Sequence, residues 1–245
     1  AVHDHAYITK LKEKTLSRQE ERRIGFPLSD ALLRREYMIT NGTIQAALYA
    51  KQYGAAFNIA GGTHHAFTNR GEGFCIFNDI AVAARYLLDH DLAKNILIID
   101  LDVHQGNGTA QIFRQETRVF TFSMHGAHNY PLQKEVSDLD VPLPDGTTDT
   151  EYLTILQDHL QDLMPAIRPD FVFYLSGVDI LVSDKFGKMH VSLEGSRMRD
   201  ELVFKTAYKQ GIPVATSMGG GYSHHLRHIV EAHANTYRVA EKFYC

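Results

Sequence analysis

Asp100, Asp102 and His104 stand at alternate positions directly after the apolar run Ile96-Leu97-Ile98-Ile99, and Gly106 and Gly108 follow them. Carboxylates and imidazoles are the side chains that ligate divalent cations and move protons near neutral pH. Near the end of a strand, alternate residues point the same way, so this spacing lets the three groups converge. Burying two carboxylates and an imidazole is costly unless something compensates, and a divalent cation does so directly. A polar strand end leading into a solvated turn is the ordinary alternative, and a pattern this short matches by chance.

The same form recurs along the chain. Ala55–Ala60 reads as a strand and runs into Gly61-Gly62-Thr63-His64-His65. Arg118–Phe122 runs into Ser123-Met124-His125, Phe171–Leu175 into Ser176-Gly177-Val178-Asp179, and Ile212–Thr216 into Gly219-Gly220-Gly221-Tyr222. Stretches this far apart in sequence meet only if a sheet aligns the strands in parallel, with their carboxyl ends at one edge. Taken together, they are much harder to dismiss than one motif.

The intervening segments supply the elements such a sheet needs. Residues 1 to 24 are charged, with Tyr7, Ile8 and Leu11 marking a short helix whose other face is solvated. Gly25-Phe26-Pro27 reads as a loop, and Ser29 or Asp30 can cap a following turn. Asn41-Gly42-Thr43 precedes a helix carrying Ile44, Ala47, Leu48 and Ala50, which Gly54 ends. Phe67–Gly73 reads as a loop, and Asn78-Asp79 caps a helix over Ile80–Asp89. A helix near Thr109–Phe113, one over Thr150–Met164, one over Glu194–Gln210 and a closing one from about Ser223 to Phe243 follow. Asp138–Asp145, with its two prolines, reads as an edge strand or extended loop. Alternating strands and helices predict an α/β fold, a single-domain three-layer α/β/α with a mostly parallel sheet over residues 1–245.

Composition sets outer bounds. The chain has 245 residues, 44% hydrophobic and 22% charged, which suits an ordinary globular protein with a sizeable core. A net charge of −4 argues against nucleic-acid binding through phosphate contacts. Cys75 and Cys245 form no disulfide framework, so a reducing, cytoplasmic compartment is expected. No apolar run approaches membrane-spanning length, so no membrane partner is expected.

In its motifs the chain resembles the zinc-dependent histone deacetylase family, of arginase/deacetylase fold. The resemblance rests on GGTHHA (61–66), GEGFCIFND (71–79), DLDVHQGNG (100–108), SGVD (176–179) and GGGY (219–222), in the family's order. Gln105 and Asn107, where many members have His and Asp, look like the class IV branch, as do GTTDTEYL (146–153) and RDELVF (199–204). The resemblance implies one Zn2+ per chain, with Fe2+ as the alternative, on Asp102, His104 and Asp179. It implies that Asp100 orients His64, that Asn107 orients His65, and that Tyr222 directs its hydroxyl at the substrate carbonyl. Phe74 and Tyr130 look like the walls of an acyl-lysine tunnel, with Gly73, Gly220 and Gly221 beside the substrate. Asp100 and Ser123 resemble ligands of a structural monovalent cation, K+ or Na+. His224-His225 matches no family motif and reads as a surface turn.

The activity so implied is metal-assisted removal of acyl groups from lysine side chains of a peptide or protein, or from a related acylated amine such as an acetylpolyamine. A carboxylate beside His64 favours its charged form, whereas an amide beside His65 leaves it neutral and suited to act as base. The family carries a further strand and an active-site loop ahead of the point where AVHDHAY begins here. Rival readings are an arginase-type binuclear manganese ureohydrolase and a non-catalytic acyl-lysine reader. The ureohydrolase pattern needs a further carboxylate two positions after the histidine, where this chain has Gly106.

Overall fold

The structure is a computed structural model that describes residues 2–245. Its elements run α1 (His5–Glu13), α2 (Arg18–Ile24), α3 (Asp30–Tyr53), β1 (Ala55–Asn58), α4 (Asp79–Asp89), β2 (Ile96–Asp100), α5 (Asn107–Phe113) and β3 (Val119–Gly126). They continue with β4 (Leu139–Leu143), α6 (Asp149–Ile167), β5 (Phe171–Ser176), α7 (Leu193–Lys209), β6 (Val214–Met218) and α8 (Leu226–Tyr244). The strands form one sheet in the order β1-β6-β5-β2-β3-β4. Every pairing is parallel, so the carboxyl ends lie along one edge. The sequence motifs sit at that edge because each follows its strand directly.

β2 lies between β5 and β3 and is buried along its whole length. Alternate residues of a strand face opposite sides, and the core divides accordingly. Leu97, Ile99, Val172 and Tyr174 pack with Leu156 and Leu160 of α6, Val203 and Phe204 of α7 and Val239 of α8. Ile96, Ile98, Phe171 and Phe173 pack on the other side with Ala46 and Ala47 of α3, Ile80 and Leu87 of α4 and Phe113 of α5. This is the expected three-layer arrangement, and the sheet is parallel throughout.

Several boundaries differ from the sequence reading. The helix expected from Ile44 begins at Asp30, where Ser29 Oγ accepts from Leu32 N at 3.1 Å, so Asn41-Gly42 lies mid-helix. Gly42 is tolerated there for packing: a Cβ on it would stand 3.0 Å from the Asn58 side chain. Asn58 Nδ2 in turn donates to Ile39 O and Thr43 Oγ1 at 2.9 and 2.8 Å, tying β1 to α3. The charged start folds into two helices, and Tyr7, Leu11 and Ile24 bury against Ile76 and Phe77. Asp138–Asp145 does contain the edge strand β4, paired with β3 alone. α8 begins at Leu226, with His225 as its N-cap and His224 and His225 exposed. β6 runs two residues later than expected, over Val214–Met218. Among the described residues, no helix is long and apolar enough to cross a membrane.

Candidate active site

Asp102 and His104 leave the end of β2, and Asp179 follows β5, the neighbouring strand. Their ligand atoms lie within 4.8 Å of one another. His104 Nδ1 is 2.9 Å from Asp102 Oδ1 and 3.1 Å from Asp179 Oδ2. Asp102 Oδ1 also accepts from His104 N, Asp102 Oδ2 from Gly220 N, and Asp179 Oδ1 from Val103 N. Asp179 Oδ2, fully buried, stands in ion-pair range of His104 but has no hydrogen-bond partner among the described residues. Burial opposes charge on His104, but the two carboxylates outweigh it and raise its pKa to about 11. Burial and the Asp102 charge together raise Asp179. The pocket therefore demands positive charge at one point, and an oxygen–nitrogen–oxygen donor set with a buried carboxylate oxygen that accepts no hydrogen bond fits a divalent ion there.

Close approach is built into the surrounding backbone. A Cβ on Gly220 would stand 1.9 Å from Asp179 Oδ2, and one on Gly106 would stand 2.3 Å from Asp100 Oδ2. Neither position admits a side chain without displacing a carboxylate. From α7, the fully buried Arg199 clamps the same region. Its guanidinium donates to Gly177 O and, at 3.4 Å, to Leu101 O, the residues just before the Asp179 and Asp102 turns. Asp200 balances that charge at 2.8 Å and also accepts from Tyr174 Oη and Thr236 Oγ1.

His64 and His65 flank this cluster. His64 Nδ1 donates to Asp100 Oδ2 and His65 Nδ1 to Asn107 Oδ1, each at 2.7 Å. Burial works against charge on His64, but the Asp100 carboxylate outweighs it and raises the pKa to about 9. Burial and then the charge of His64 push His65 well below the ordinary imidazole value, and the Asn107 bond offsets this only in part. Tyr222 lies beyond, its amide donating to Asp184 Oδ2 at 2.6 Å. Burial, then the Asp102 and Asp179 charges, push its phenol up, so the hydroxyl stays protonated and able to donate.

A cavity of about 830 Å³ opens onto these groups, lined among others by His64, His65, Asp102, His104, Asp179 and Tyr222. Phe74 and Tyr130 are partly exposed on its walls, and Gly73, Gly220 and Gly221 line it too. Phe74 sits at φ 68 and Gly73 at φ 55. Paired Glu72–Cys75 backbone bonds at 2.9 Å, and bonds from Gly73 N to Arg23 O and Phe74 N to Ile24 O, hold this turn. An aromatic at positive φ is strained, and the turn that imposes this conformation carries a ring that lines the cavity. Ser123 is the register partner of Asp100, but its Oγ is 3.0 Å from His125 Nδ1.

The sequence reading missed four residues here. Glu72 sits behind the cavity and bridges Asn107 and Tyr130. Phe186 lines the cavity with its ring 5.0 Å from that of Tyr222, and His233 lines it too. Arg199 is the fourth; a charged residue on a helix ordinarily reads as part of a solvated face. Glu72 and Arg199 do fall inside stretches singled out for their resemblance, GEGFCIFND and RDELVF.

A family model described as the histone deacetylase domain matches residues 1–237. The chain belongs to the histone deacetylase family. It is a hydrolase of the deacetylase type. An uncharacterized protein of Picosynechococcus sp. (strain ATCC 27264 / PCC 7002 / PR-6) is 46% identical over 243 residues, 99% of this chain and 81% of its own length. Histone deacetylase 2 of Arabidopsis thaliana is 38% identical over 184 residues, 74% of this chain and 48% of its own. The chain thus spans about half the length of that deacetylase. The solved structure of an HDAC homolog from Aquifex aeolicus superimposes with a TM-score of 0.83 at 27% identity, covering 98% of this chain and 68% of that one. An HDAC homolog complexed with SAHA matches to the same extent.

Proposed function

We propose that this histone deacetylase family member is a zinc-dependent amidohydrolase that removes acyl groups from lysine side chains. One observation carries the reading. Two adjacent imidazoles of opposite electrostatic character face a cation site and a protonated phenol across one walled cavity. A binding module needs the cavity and the walls, but it has no use for a matched acid and base.

Asp102, His104 and Asp179 would hold the ion. Zinc or Fe2+ there would supply Lewis-acid polarisation of the acyl carbonyl and acidify the attacking water. His65, neutral and bonded at Nδ1, offers Nε2 to take the proton from that water. His64, held positive by Asp100, is the source of the proton that the departing amine needs. Tyr222 donates its hydroxyl to the oxygen on which negative charge develops. Gly106 argues against the binuclear ureohydrolase, because a carboxylate there would collide with Asp100.

The test is a panel of acetyl- and longer acyl-lysine peptides alongside acetylpolyamines, assayed on protein of measured metal content. Turnover of acyl-lysine peptides with one ion per chain is expected, together with competition by SAHA. Turnover of acetylpolyamines alone would move the substrate class while keeping the chemistry. No turnover of any acylated amine by zinc-loaded protein would reject the reading.

A further inference from the structure

We infer that Glu72 is a positioning residue that sets the tautomer of His65 by fixing which way the Asn107 amide faces. This rests on the hydrolytic reading above and deepens it, since the base must present a bare nitrogen to the cavity.

His65 Nδ1 is 2.7 Å from one end of the Asn107 amide, and the other end is 3.1 Å from Glu72 Oε1. A neutral imidazole satisfies a carbonyl with Nδ1–H or an amide NH2 with a bare Nδ1, and asparagine can turn either end towards it. Left alone, the pair has two arrangements. In the first, Nδ1 carries the proton and Nε2 is a base. In the second, Nε2 carries the proton and the base is lost.

Glu72 removes the choice. A carboxylate only accepts, so the NH2 of Asn107 must face it, the carbonyl must face His65, and Nδ1 must be the donor. Glu72 is itself held in place. Its backbone closes the turn with Cys75, Oε2 accepts from Arg70 Nε at 3.2 Å, and Oε1 also accepts from Tyr130 Oη at 2.6 Å. Its side chain is 13% exposed and lies outside the cavity lining, behind His65 and Tyr130. The Tyr130 ring in turn stands edge-on to His65, with centroids 5.0 Å apart. An aspartate in place of Asn107 would accept with both oxygens and need no instruction, so the carboxylate at Glu72 answers a need created by the asparagine.

The experiment reads the protonated nitrogen of His65 directly, by long-range 1H–15N correlation on zinc-loaded protein, alongside kcat and KM on an acetyl-lysine peptide. The wild type should show His65 as a single Nδ1–H form. In Glu72→Gln the glutamine can accept or donate, so both arrangements become available. His65 should then split between the two forms, and kcat should fall by roughly two- to tenfold, following the base-competent fraction, with KM changed less. Glu72→Gln/Asn107→Asp swaps amide and carboxylate and should restore the single Nδ1–H form and most of the lost kcat, measured on the alkaline plateau. Tyr130→Phe removes only the other bond to Glu72 and should leave the single form. A His65 that stays wholly Nδ1–H in Glu72→Gln overturns the inference, as does a double variant split like the single one. A split in Tyr130→Phe overturns it too, by assigning the effect to the wall. Wild-type protein inactive on every acyl-lysine, yet showing the expected His65 populations, supports the inference while rejecting the substrate reading.

Discussion

His64 and His65 are neighbours in sequence with ring centroids 4.1 Å apart, yet each rests on a different acceptor, a carboxylate for one and an amide for the other. That difference separates their charges. The Asp100 carboxylate stabilises a proton on His64, whereas the Asn107 amide adds no net charge and His64 then repels a second proton from His65. One turn after β1 thus presents a donor and an acceptor side by side, which is what breaking an amide bond requires of a single site.

Asp179→Asn tests the cation site. The asparagine keeps an oxygen for Val103 N, so the turn after β5 should hold, but it removes the charge that an ion would neutralise. Circular dichroism and the melting profile of apo protein are expected to match wild type, with bound zinc after dialysis well below one per chain and activity lost. Stoichiometric zinc on a folded Asp179→Asn protein would remove Asp179 from the ligand set.

Tyr222→Phe removes one hydroxyl from the cavity and leaves the amide bond to Asp184 in place. Metal content should be normal and KM little changed. The fall in kcat should be roughly two to three orders of magnitude, the scale for losing one oxyanion donor. A variant within a few-fold of wild type would leave Tyr222 as a wall residue packed between Phe74 and Phe186.

How much of this was legible in the sequence follows from the range of the interactions. The Asp100-Asp102-His104 pattern could be read because strand geometry has a period of two and an apolar run precedes it. The shared sheet edge followed from alternation of strands and helices. Asn41-Gly42 misled because local propensity marks it as a break, while the reason for Gly42 is Asn58, on a different element. Glu72 escaped for a similar reason. Its partners, Asn107 and Tyr130, are 35 and 58 residues away, and within its own loop it is one charge among glycines. Arg199 likewise shows its role only when the turns after β2 and β5 come together beneath it.

Two buried histidines outside the proposed ligand set, His233 and His125, make stability depend on pH. Burial, then the Arg199 charge, lowers His233 to about 4; burial, together with the Lys134 charge, lowers His125 to about 4. Above the unfolded value of about 6.5 neither state holds these protons, and the stability is fully present. As pH falls from there towards 4, the unfolded chain binds protons that the folded chain refuses, so stability drops, by on the order of 3 kcal/mol per group. His233→Phe should melt with a shallower dependence on pH across that window. A slope equal to wild type would mean that folded His233 takes up its proton normally.

The acidic limb of the rate profile tests His65 as the base. Asn107→Asp alone would set a carboxylate within about hydrogen-bonding distance of Glu72, and the two would compete for a shared proton. In the Glu72→Gln background that conflict is gone, because glutamine can donate to the new carboxylate. The introduced aspartate would then place a negative charge against His65 Nδ1, where the amide placed none. An adjacent opposite charge favours the protonated imidazole, so the His65 pKa rises. A base works only when deprotonated, so the acidic limb of kcat/KM should move to higher pH in Glu72→Gln/Asn107→Asp while the alkaline plateau stays near wild type. His64 is coupled to the same limb, so the comparison is of whole profiles on one acetyl-lysine peptide, with zinc content measured at both ends. A limb that stays in place or moves to lower pH would show that His65 is not the base that this limb reports.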